Sequence, residues 1–242
     1  MIGIGTIINT AAVIIGGLIG LCFKNGIKQR IQDILMQACG VSTIFIGISG
    51  VLSKMFSQSN GKFEVNGTMM LILCMVIGSI VGELLNIENR MDVLGEKIRS
   101  KAKAKNDNKF VEGFVSVSLI TCIGAMAIVG SIQDGISGDF SVLANKSILD
   151  FVIVIIFAST CGIGAIFSAI PIFIYQGTIT AVAAICGSFI KESMINDMSL
   201  IGSALIFCVG INICFGKRIK VGNMLPALVV VIIYDIIKIY LF

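Results

Sequence analysis

The sequence predicts an all-α, polytopic membrane protein of about eight transmembrane helices. Three observations predict it. Of the 242 residues, 56% are hydrophobic and only 13% are charged, about half the charged share of a soluble domain. Mean hydropathy is +1.01. The apolar residues also come in runs of about 20, the length that crosses a hydrocarbon core as a helix, without the two-residue alternation of a membrane barrel. The same numbers exclude a soluble enzyme, a disordered chain and a disulfide-stapled secreted fold.

The runs fall at 3–23, 31–53, 67–86, 112–132, 148–168, 172–190, 198–215 and 224–242. The first carries its positive charges after it, at Lys24, Lys28 and Arg30, which is the reverse of a secretory signal and turns the amino terminus outward. Gly40, Gly47 and Gly50 punctuate the second. Gly16 and Gly20 in the first, and Gly78 and Gly82 in the third, form GxxxG steps that let helix backbones approach closely in lipid. The fourth contains Gly124 and Gly130 and ends at Gln133 and Asp134. The fifth and sixth share one apolar block between Asp150 and Lys191. It divides at Ser168–Pro171, since Pro suits the first turn of a new helix. One span plus a re-entrant segment is the alternative for 151–190, and Gly162 and Gly164 are the best candidates for a helix break. On these bounds Asp150 opens span five near the outer surface, one turn after Lys146. Asn212 lies in span seven and Asp235 in span eight.

Charge sets the orientation. With eight spans, loops one–two, three–four and seven–eight share one side. They hold 13 of the 18 Lys and Arg residues: Lys24, Lys28, Arg30, Arg90, Lys97, Arg99, Lys101, Lys103, Lys105, Lys109, Lys217, Arg218 and Lys220. The positive-inside rule makes that side cytoplasmic and puts both termini outside. The long polar loop, 87–111, is a solvated topogenic segment. Its basic run at 97–105 suits anionic lipid headgroups. It lacks the interleaved aromatics of a single-strand nucleic-acid site, so no nucleic-acid partner is expected. Glycine-rich helix faces suit a homo-oligomer.

Histidine is absent, which removes His triads, His metal sites and His pH switches. The eight cysteines form no CxxC pair and lie in or at the ends of apolar stretches, as small buried hydrophobes do. No GxSxG, HExxH, Walker or complete GxGxxG motif occurs. No catalytic residue and no cofactor is therefore expected, and the sequence leaves a metal undecided.

An internal match links the two ends of the chain. Gly5-Thr-Ile-Ile-Asn-Thr-Ala-Ala12 and Gly177-Thr-Ile-Thr-Ala-Val-Ala-Ala184 share five of eight positions. The next spans carry Phe45-Ile-Gly-Ile-Ser and Cys208-Val-Gly-Ile-Asn. The third members carry one acid each, Glu83 and Asp235. Spans one to three thus resemble spans six to eight at an odd offset, which inverts one copy relative to the other, an architecture common in transporters. The organisation expected is one transmembrane domain, 1–242, with repeats at 3–86 and 172–242 flanking central spans at 112–168.

Polar side chains inside spans are costly and usually face protein or water. The expected pathway set is Asn9, Thr10, Gln176, Thr178 and Asp235 around a common polar cavity, with a local Asp235–Lys238 pair as the competing arrangement. Glu83, Gln37, Gln133, Asp134, Thr180 and Asn212 form a second tier. Such amides and hydroxyls suit either ligands with oxygen or amide groups or partly dehydrated ions.

Four strings, GTIINTAAVIIGGLIG, QDILMQACG, TCIGAMAIVGSIQDGISGD and IPIFIYQGTIT, resemble the bacterial integral-membrane family catalogued as domain of unknown function 554. The resemblance covers nearly the whole chain, and the string through Gln133, Asp134 and Gly135 is its most specific part. It implies a multi-span bacterial membrane protein and transfers no site residue. The functional expectation is a channel or secondary transporter for a small ion or solute. A membrane scaffold or accessory subunit is the alternative.

Overall fold

The computed structural model describes residues 2–23, 27–59, 62–90, 93, 108–122, 125–187 and 192–241. The basic run at 97–105, and with it the anionic-lipid contact expected there, lies outside them. The described chain is helical apart from one hairpin, β1 (Phe56–Ser59) against β2 (Lys62–Val65), paired antiparallel with Phe56 opposite Val65. The helices are α1 (Ile4–Leu21), α2 (Gln29–Met55), α3 (Thr68–Leu85), α4 (Asn108–Cys122), α5 (Ala125–Ser137), α6 (Ser141–Cys161), α7 (Gly164–Phe167), α8 (Ala169–Gly187), α9 (Glu192–Phe215), α10 (Val221–Met224) and α11 (Ala227–Leu241). In hydrocarbon a backbone must satisfy its own hydrogen bonds, and a helix does so within one segment.

Seven helical stretches are long and apolar enough to cross a membrane. The eighth expected span is a bent pair, α4 and α5, with 56° between their described parts. The boundary between spans five and six falls at Gly162, not at Ser168–Pro171. Gly162 closes α6 with φ +74°, a conformation open to glycine and strained for other residues. The two spans are separate helices, and Pro171 sits in the first turn of α8, where its missing N–H is tolerated. Span five accordingly starts seven residues earlier than hydropathy suggests.

The chain divides into two compact units. The first comprises Met1–Gln37 and Met91–Ser188. Its apolar core is Val13, Val117, Val154, Ala158, Ala165, Ala169 and Ile172. α1 and α6 pack along their lengths. A Cβ at Gly16 would meet the Phe151 carbonyl oxygen at 2.8 Å, and one at Gly20 the Ile155 carbonyl oxygen at 2.6 Å. Only glycine permits that approach, so the first GxxxG step is an α1–α6 seam. The contacts advance together along both chains, so the two helices are parallel.

The second unit comprises Ala38–Arg90 and Phe189–Phe242, with Met70, Cys74, Met198, Ile201, Leu205 and Val231 buried in it. Here α2 and α9 are antiparallel: Gly40 meets Cys214, Gly47 meets Phe207, and Gly50 meets Ser203. A Cβ on Gly47 would lie 2.5 Å from the Phe207 nitrogen, and one on Gly210 2.6 Å from the Ile44 nitrogen. The glycines at matched positions of the two FIGIS-like segments therefore make reciprocal contacts. α3 and α11 also run antiparallel, with Gly78 on Ala227.

By length and composition the described residues hold seven candidate spans, or eight if the bent pair is one span.

Large apolar side chains face outward on the long helices. Ile7, Ile14, Ile15 and Leu18 of α1, Met69, Ile72 and Ile80 of α3, and Phe173, Ile174 and Ile185 of α8 are all exposed. Asn9, Asp134, Lys146, Asp150 and Gln176, meanwhile, are buried. That inversion is the arrangement of a protein whose solvent is lipid.

Candidate functional site

The first unit collects a polar cluster from α1, α5, α6 and α8. Asp150 sits near the middle of α6 and is 2% exposed, and Lys146, one turn earlier, is 4% exposed. The Lys146 ammonium pairs with Asp150 Oδ2. The Asn9 side-chain amide donates to the same oxygen at 2.9 Å and to Gln176 Oε1 at 3.1 Å. Asn9 and Gln176 are both fully buried. The amide orientations follow from the chemistry. A flipped Asn9 would set its oxygen against a carboxylate, and a flipped Gln176 would set amino group against amino group. The chain thus runs from Lys146 to Asp150, from Asn9 back to Asp150, and from Asn9 on to Gln176.

Asp134 on α5 is fully buried. Its carboxylate accepts the backbone N–H groups of Gly3 and Gly5, each at 3.1 Å. These donors at the start of α1 have no partner within their own helix, and the positive end of the helix dipole favours the carboxylate. Asp134 is thus the N-terminal cap of α1, supplied from another helix. Gly5 leaves the room for it: a Cβ there would stand 3.0 Å from Asp134 Oδ2.

Thr6, Ser131 and Thr180 of the same unit are also buried. Thr6 and Asn9 are three apart on α1, Gln176 and Thr180 four apart on α8, so each pair shares a helix face. Among the described residues, Thr6 Oγ1, Asn9 Oδ1, Ser131 Oγ, Gln176 Nε2 and Thr180 Oγ1 have no hydrogen-bond partner. Buried polar groups are nearly always paired, so five such atoms in one unit mark it out.

The expected pathway residues separate. Asn9 and Gln176 are bonded to each other. Thr10 is half-buried and donates to the Thr6 carbonyl, and Thr178 is exposed and donates to the Ile174 carbonyl. Both hydroxyls thus serve their own helices. Asp235 belongs to the second unit. It is 4% exposed, its carboxyl lies within hydrogen-bonding reach of Asp197 on α9, and its Oδ2 has no partner among the described residues. Lys238 is exposed.

Of the second tier, Asp134 caps α1, Gln133 is buried beside it, and Thr180 joins the cluster. Gln37 is on the exposed side of α2. Glu83, at the end of α3, accepts from Lys220 at 2.7 Å and from Asn223 at 2.6 Å. Asn212 folds the turn after α9: its oxygen accepts the Arg218 and Ile219 N–H groups, both at 2.9 Å, and its amide donates to the Ile219 carbonyl at 2.7 Å. The sequence did not put Lys146 in the cluster, and it put Asp150 near the surface. The usable signal was Lys146–Asp150 at i, i+4 beside a long apolar run. Among the described residues, no three Cys, Asp or Glu side chains converge as a metal site requires.

Comparison with known proteins agrees with a membrane setting. A family model described as a protein of unknown function, DUF554, matches residues 4–236. The uncharacterized membrane protein YdfK of Bacillus subtilis (strain 168) is 33% identical over 226 residues, 93% of each chain. The uncharacterized protein YqgA of Escherichia coli (strain K12) is 30% identical over 229 residues, again 93% of each. No solved structure matches the chain significantly. An apolar outer surface, seven helices long and apolar enough to cross a membrane and a family match over nearly every residue lead to one conclusion: the chain is a membrane protein of the DUF554 family.

Proposed function

We propose that the protein is a channel or secondary transporter that moves a small ion or solute across the bacterial cytoplasmic membrane without changing it chemically. The observation that carries this reading is the buried cluster of Asn9, Asp150, Lys146 and Gln176, with unpartnered amide and hydroxyl atoms beside it. Ionisable groups within spans usually line a path or a binding site. The contact pattern lends support through the repeat. The first members of the two matched triplets, α1 and α8, fall in one unit. The second and third members fall in the other. The reciprocal Gly47 and Gly210 contacts are those a two-fold axis between the copies would produce.

Purified protein in liposomes, tested against a panel of ions and small solutes, should raise the flux of at least one. Silence across the panel would favour a scaffold. The basic loops put both termini outside. On a Cys-free background, a membrane-impermeant thiol reagent added outside should label a cysteine placed at position 60 and leave one at 103 untouched; the reverse pattern rejects the orientation.

A further inference from the structure

We infer that the α1–α6–α8 cluster binds an uncharged, hydrogen-bonding solute, a small molecule with hydroxyl or amide groups, and not an ion. The inference rests on the transport reading above and names its substrate class. Among the described residues, three charged side chains are buried in the first unit: Asp134, Lys146 and Asp150. Each is already engaged. Asp134 holds the two backbone N–H groups that open α1. Lys146 and Asp150 hold each other, and Asn9 adds a second donor to Asp150. A cation that took the place of the Lys146 ammonium, or an anion that took the place of the Asp150 carboxylate, would strand a buried charge.

The unengaged atoms are neutral and of both kinds. Asn9 Oδ1 only accepts, Gln176 Nε2 only donates, and Thr6, Thr180 and Ser131 hydroxyls do either. Asn9 and Gln176 share one hydrogen bond where two primary amides facing each other could share two, so the free carbonyl and the free amino group belong to adjacent side chains. A ligand carrying a donor and an acceptor on neighbouring atoms complements that pair; a bare ion complements half of it. The other buried hydroxyls of the unit do not compete, since Thr121, Ser147, Ser159 and Ser168 each donate to a carbonyl of their own helix. Gly177 faces Thr6, and a Cβ there would meet only Thr6 Cγ2, at 3.9 Å.

Proteoliposomes shrunk by hyperosmotic formamide, urea, glycerol, NaCl or KCl, and followed by light scattering, test this. At least one neutral solute should re-swell the vesicles faster than protein-free liposomes allow, and the salts should not. Gln176→Met and Thr180→Val should slow that re-swelling about tenfold, the scale of a lost buried hydrogen bond. Thr180→Val removes a hydroxyl without a protein partner, so it should keep the wild-type gel-filtration profile. Salt-driven re-swelling without neutral-solute flux overturns the inference and leaves transport standing. Neutral flux unchanged in both variants also overturns it. No flux of any panel member overturns the transport reading and the inference with it.

Discussion

Lys146→Met leaves the Asp150 carboxylate buried with Asn9 as its remaining donor. The Lys146 and Asp150 side chains are 5% and 3% exposed, so water screens neither charge. Removing one partner of a buried ion pair costs about 3–5 kcal/mol. The Asn9 bond survives in Lys146→Met, which puts that variant near the lower figure. Asp150→Leu strands the ammonium and one Asn9 bond together, which puts it near the upper. At about 2–4 °C per kcal/mol for a chain of this size, the apparent Tm should fall by about 6–12 °C in the first and about 10–20 °C in the second. Lys146→Met/Asp150→Leu removes both charges, and Asn9 keeps Gln176 as acceptor. It should melt closer to the wild type than either single variant, since apolar replacement of a buried pair is often neutral. The assay is thermal unfolding of detergent-purified protein, with gel filtration to confirm folding at the start. A double variant that loses the sum of the single losses would show two independent groups and refute the coupled pair.

Two further outcomes follow from the packing. Asp134→Ala removes the acceptor for the first turn of α1; it should cost about 1–2 kcal/mol and speed hydrogen exchange at Gly3 and Gly5, whereas unchanged exchange there would deny Asp134 its capping role. Gly47→Ala and Gly210→Ala should destabilise by similar amounts, about 1–3 kcal/mol each, because each drives a Cβ into a backbone nitrogen. Gly177→Ala should be tolerated in the same melting assay, and a loss at only one of Gly47 and Gly210 would break the reciprocity.

Helix type and seven of the spans were legible because hydrocarbon admits few solutions: seven of the eight apolar runs became helices displaced by a few residues. Span five was displaced most, for a physical reason. Hydropathy treats Lys146 and Asp150 as polar flanks, but the two neutralise each other and are buried, so the helix continues N-terminally to Ser141. The same error hid the cluster's charged half while Asn9 and Gln176 were found. Thr10 and Thr178 return their protons to their own helices, a choice that depends on packing and not on residue type. Asp235 could not be assigned to a unit from sequence, since its meeting with Asp197 joins helices 38 positions apart. The hairpin between α2 and α3 gave no hydropathy signal.

The cap on α1 has a consequence for how the protein is made. The donors at Gly3 and Gly5 wait for Asp134, 131 positions later in the chain, and Asn9 waits for Asp150 and then Gln176, 141 and 167 positions later. At roughly 5–20 residues per second, α1 spends about 7–26 s in the membrane before its first turn finds its acceptor. During that interval its glycine face, which will seat α6, is open, and so is its buried asparagine. α1 therefore reaches these native contacts long after it enters, and a factor that shields polar transmembrane faces during insertion would act on it in that interval.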